Sequence, residues 1–116
     1  MGTVLNYTPH QPLRIFVGED EIAALPGAGT PVRLREEAEP MGTLDIDGRP
    51  VPLVLMDYGG AVGLPDPRPG TLLVVSQLVC RANPLREDLV FPIDLARNGA
   101  GDVVGCRGFA KVARPA

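Results

Sequence analysis

Short apolar runs follow one another along this chain, each closed by glycine, proline or a cluster of charge. Val4 to Tyr7 predicts a first short strand, and Leu13 to Val17 a second. Gly18-Glu19-Asp20 turns the chain, and Glu21 to Leu25 reads as the partner that pairs back. Pro26 to Gly29 is loop. Val32 to Glu36 alternates apolar and charged residues, the pattern of a half-buried strand. Glu36, Glu37 and Glu39 form an acidic run, expected on a solvated edge.

Asp47-Gly48 is the clearest local signal. It lies between Thr43-Leu44-Asp45-Ile46 and Val51-Pro52-Leu53-Val54-Leu55. An Asp-Gly pair supplies the positive φ angles of a type I′ turn, whose twist matches two antiparallel strands, so the segment predicts a hairpin. Pro50 and Pro52 cannot donate to a ladder and place the returning strand at an edge. Gly59 to Gly70 reads as an ordered loop stiffened by its prolines. Thr71 to Val75 is continuously apolar, as a strand buried on both faces requires. Ser76 is a good helix cap and Asn83-Pro84 a good stop, so a helix of about two turns is expected between them. Leu89 to Phe91 and Val103 to Val112 read as further strands, with Asn98 to Asp102 as the turn before the last.

The chain has 14 Gly and 13 Pro among 116 residues, spread throughout, which excludes long helices almost everywhere. The expected product is a single domain over residues 1–116: a small, mainly antiparallel α+β fold with one short helix. An apolar fraction of 45% and a charged fraction of 22% are ordinary for a globular protein. Aromatic residues are only 4%, with no Trp, and the formal net charge is −3. Both argue against nucleic-acid binding, which needs cations for phosphates and rings for bases. The charge is uneven: residues 1–57 hold four Arg against nine Asp or Glu, and residues 58–116 hold seven Arg or Lys against five. The later half therefore has a surplus of cations for a modest anion site. Cys80 and Cys106 form no C-x-x-C pair, and each reads as a small buried residue. No leader pattern or membrane-length apolar run is present, so the expected location is the cytoplasm.

Two places could hold chemistry. Asn6-Tyr7-Thr8-Pro9-His10 follows the first strand and contains the only histidine. An imidazole ordinarily titrates near neutrality, which makes His10 the candidate acid–base group. Val75-Ser76 joins a buried strand to a helix start, where free amides and the helix dipole favour an anion. Ser76 and Gln77 would add side-chain donors there. The plainer alternatives are that Ser76 only caps the helix and that Thr8 and His10 only shape a turn. If the first strand lies beside residues 71–75, the two places converge. Arg81 or Arg107 could then neutralise the bound anion. Nothing predicts a cofactor, and no set of residues predicts a metal: Asp45-Ile46-Asp47-Gly48 lacks the later Glu of a calcium loop. Arg107-Gly108-Phe109-Ala110 matches the opening of an RNA-recognition strand but lacks the following aromatic, so Phe109 is expected to pack inward between solvent-facing Arg107 and Lys111.

Four segments together resemble a group of small uncharacterised proteins of actinobacteria, other bacteria and phages. They are Asn6 to His10 (N-x-T-P-H), Gly42 to Val51, Gly63 to Val79 (G-L-P-x-P-x-x-G-T-x-x-x-V-S-x-L-V) and Gly105 to Gly108 (G-C-R-G). The resemblance implies that Thr8, His10 and Ser76 belong to a shared site, and it brings no established activity with it. The leading expectation is a small cytoplasmic accessory protein that binds an anionic small molecule, a nucleotide among the candidates, with hydrolysis through His10 as an extension. The rival expectation is a protein–protein module without chemistry, phage- or defence-linked, whose edge strands pair with another chain or with a second copy.

Overall fold

The computed structural model describes residues 2–113. In chain order these form β1 (Thr3–Asn6), β2 (Leu13–Val17), β3 (Asp20–Leu25), β4 (Arg33–Ile46), β5 (Arg49–Val62), β6 (Thr71–Val74), α1 (Gln77–Ala82), β7 (Leu89–Arg97) and β8 (Val103–Ala110). Six strands make one curled sheet in the order β1-β6-β7-β8-β2-β3, and β4 pairs with β5 alone.

This corrects the expected mainly antiparallel α+β fold. The described residues are predominantly β, with six in α-helix. The large sheet is mixed: β1–β6, β6–β7 and β2–β8 are parallel, and only β2–β3 and β7–β8 are antiparallel. The physical reason lies in the connections. Parallel neighbours need a crossover, and α1 with the turns after it provides one between β6 and β7. β1 reaches β6 only after the whole of β2 to β5 has intervened, a long-range pairing that local turn signals do not announce.

The apolar run at residues 71–75 is buried on both faces only from Leu73 onward, since Leu72 is 36% exposed. Leu73 and Val75 pack into one core cluster with Val32, Leu34, Val79, Cys80 and Leu89. Val74 points the other way, into a second cluster with Leu13, Val90 and Cys106. Each fully buried Leu or Val contributes roughly 1.5–3 kcal/mol, so β6 and Val75 after it join the two core clusters. The loop after β5 is ordered, as its prolines suggest. Arg86 grips both carboxylate oxygens of Asp88 at 2.8 Å and donates to the Pro65 carbonyl at 2.8 Å. The ion pair holds the Asp88 carboxyl below its usual range, the hydrogen bond from Arg86 being the main cause.

The predicted hairpin is present and much longer than the sequence suggests. Asp47 and Gly48 have φ of 52° and 77°, as a type I′ turn requires. From that turn β4 and β5 stay paired all the way to Arg33 and Val62. Val32 to Glu36 is therefore the root of the hairpin rather than a separate strand. Gly59 to Val62 is strand rather than loop. Leu34 is buried in the body, and almost every other position along the two strands is exposed. Fourteen residues per strand make an arm about 45 Å long. The arm accounts for the 56 Å long axis and for a radius of gyration of 17.2 Å, where a compact chain of this length would have about 13 Å.

Candidate functional site

Asn6 ends β1 and lies opposite Val74 at the end of β6. The two places predicted from sequence therefore do follow neighbouring, parallel strands. Beyond the strand ends they are built differently. Asn6 is 1% exposed and Thr8 2% exposed. The Asn6 amide donates to the carbonyls of His10 at 2.8 Å and Leu25 at 3.1 Å. Its oxygen accepts from the Thr8 amide at 3.0 Å and the Thr8 hydroxyl at 2.7 Å. The side chain of Asn6 thus ties together the end of β1, the 8–10 turn and the end of β3. Thr8 is a member of this knot, its hydroxyl held by neighbours in the same turn.

His10 is half-buried and faces a different part of the surface. It lines a concavity of about 460 Å³ with Pro9, Gln11, Pro12, Arg14, Asn98, Val103 and Val104. Neither Thr8 nor Ser76, Gln77, Arg81 or Arg107 lines it. The Ser76 hydroxyl accepts from the Val79 amide at 3.3 Å, which is the helix-capping bond. Gln77 and Arg81 are exposed on α1. Arg107 lies on β8, where its Nε donates to the Gly18 carbonyl at 2.9 Å and its guanidinium lies 5.8 Å from the centre of the Phe16 ring. Phe109 is 36% exposed on the same alternation as Arg107 and Lys111, so it does not pack inward.

A second concavity of about 280 Å³ lies beside α1, lined by Cys80, Asn83, Arg86, Glu87, Leu89 and Lys111 among others. Its cations are engaged: Arg86 with Asp88, and the Lys111 ammonium with the Glu87 carbonyl at 2.8 Å. Both cysteines are free thiols. Burial pushes the Cys80 thiol up to about 11 and raises that of Cys106 as well. A thiol held neutral is a poor nucleophile. Among the described residues, no cluster of His, Cys, Asp and Glu is placed to hold a metal ion, and no helix is long and apolar enough to cross a membrane.

The largest group of exposed apolar side chains is on the arm. Met41, Leu44, Ile46, Val51, Leu53, Val54, Leu55, Met56 and Tyr58 are each between 36% and 59% exposed. Alternation and register sort the two faces, since directly paired residues share a face. One face runs from Ile46 and Arg49 at the tip, through Leu44 with Val51, Gly42 with Leu53 and Glu39 with Leu55, to Glu37 with Asp57. The other carries Pro50, Pro52, Val54, Met56 and Tyr58. Residues 33–62 hold three Arg against six Asp or Glu, which is the whole net charge of −3. The net negative charge of the chain is thus that of the arm, while residues 1–32 carry one Arg against three Asp or Glu and residues 63–116 seven Arg or Lys against five. In the sequence the arm's residues stand as separate signals, an acidic run and an apolar run. Counting pairs outward from Asp47-Gly48 is the step that joins them.

Compared with protein-family models, with curated proteins and with solved structures, the chain gives no match.

Proposed function

We propose that this protein is a cytoplasmic, non-enzymatic protein–protein interaction module that works through its β4–β5 arm, in the phage- or defence-linked setting the motif resemblance suggests. The observation that carries this reading is a two-stranded ribbon with large apolar side chains exposed on both faces. An isolated two-stranded hairpin is marginal in water. An exposed apolar patch of this extent normally marks a surface that another macromolecule covers. The β3 edge of the large sheet is a poorer docking edge, because β3 begins with Asp20 and Glu21, charges that discourage edge pairing. A photo-crosslinking amino acid placed at Leu53 or Leu55, in the cells the protein comes from, tests the reading. Covalent adducts to a protein chain are expected. Absence of any protein adduct from both positions contradicts it.

Binding of a small anion keeps one supporting observation, the concavity that brings His10 and Arg14 together with Asn98. Arg14 also lies 3.7 Å from Glu21, which competes for its charge. Inorganic phosphate should then raise the melting temperature of the wild type and not of His10→Ala. Equal melting curves with and without phosphate contradict this second reading.

A further inference from the structure

The charged rows on one arm face are arranged about Leu53. Leu53 lies halfway between Arg49 at the tip and Asp57, four residues from each, with Val51 and Leu55 in between. All five residues share one face by strand alternation. Glu37 is paired directly with Asp57. Like charges opposite each other on a ribbon are destabilising, and no salt bridge within the described chain relieves them. Arg49 has no ion-pair partner in the described chain either.

We propose, resting on the interaction reading above, that the occupant of this face is a second copy of the chain. The two arms stack antiparallel across a two-fold axis at Leu53, and Arg49 of each meets Asp57 and Glu37 of the other. The same rotation lays Val51 over Leu55, and Leu53 over its own counterpart, giving an apolar stripe along β5 closed at both ends by opposite charges; along β4 it brings Leu44 against Glu39 and Ile46 against Glu37. Such a surface is self-complementary, as an isologous interface must be. A parallel stack would instead put acid on acid. Gly42, paired with Leu53, has nothing within 4 Å of where a side chain would begin. That leaves room at the centre of the stripe for the Leu53 side chains. The stacked stretch runs from Arg49 to Asp57, about 30 Å by about 10 Å, and offers roughly 300 Å² per copy. This is well under half the per-partner area of a standard stable interface, so a weak dimer is expected, with a dependence on salt.

Sedimentation velocity on the full chain, with a charge-reversal pair, tests this. The wild type should sediment as a dimer of the 12.3 kDa chain. Arg49→Glu should weaken the dimer at least tenfold. Adding Glu37→Arg and Asp57→Arg to that variant should restore it, with circular dichroism confirming that each variant is folded. A wild type that stays monomeric at about 1 mM, where even a Kd of about 100 µM would leave most chains paired, overturns the proposal. So does a dimer indifferent to all three substitutions. If Leu53 crosslinks to a different protein while the purified chain is monomeric, the interaction reading stands and the second-copy inference fails. If neither experiment gives association through the arm, both fail.

Discussion

At the scale of single residues, Asn6 does more for this fold than His10 or Ser76. Four hydrogen bonds converge on one buried amide and join the end of β1, the 8–10 turn and the end of β3. Removing one partner of a buried hydrogen bond leaves the other unsatisfied, at about 1–3 kcal/mol. Asn6→Ala should therefore destabilise the protein by about 2–4 kcal/mol, and Thr8→Val by about 1–2 kcal/mol. Urea denaturation followed by circular dichroism measures both. Values within experimental error of wild type would show that the knot is dispensable and would leave Thr8 free to act in ligand binding. The N-x-T-P-H opening was legible in the sequence as something special. Its hydrogen-bond geometry was not, because Asn6 reaches the Leu25 carbonyl across a pairing of distant strands that no local pattern encodes.

At the scale of elements, the sequence was most informative where the physics is local. The Asp47-Gly48 turn, the part of the 71–75 run from Leu73 to Val75 that is buried on both faces, and the Ser76-capped helix form where turn chemistry, hydropathy and capping place them. Ser76→Ala should cost about 1 kcal/mol through loss of the cap, read as a lowered melting temperature; an unchanged one would mean that packing of Val79 and Cys80 alone sets the helix start. Local patterns failed for pairing partners. Parallel neighbours such as β1 and β6 are decided by tertiary packing, so the mixed sheet could not be read from turns. The full length of the arm was hidden because burial is what makes strand alternation visible. A ribbon exposed on both faces has no reason to alternate, and so Glu37 and Leu55 stand in segments that share no common pattern.

At the scale of the molecule, a folded body and a protruding arm divide the work. The body contains both core clusters and is formally neutral outside residues 33–62, whereas the arm holds the net negative charge and the largest run of exposed apolar side chains. Beyond Leu34 the arm contributes no buried residue to either core cluster, and its side chains there are exposed. Its rows are ordered by the same register that extends the hairpin, which links turn chemistry at Asp47-Gly48 to the pattern a partner would meet some 45 Å away from the root. Hydroxyl-radical footprinting of the assembled protein against the diluted chain tests this division most directly. Labelling of Leu44, Leu53 and Leu55 should fall severalfold on assembly, while Met56 and Tyr58 on the opposite face stay reactive. Equal labelling of both faces in the assembled and the diluted protein would contradict it.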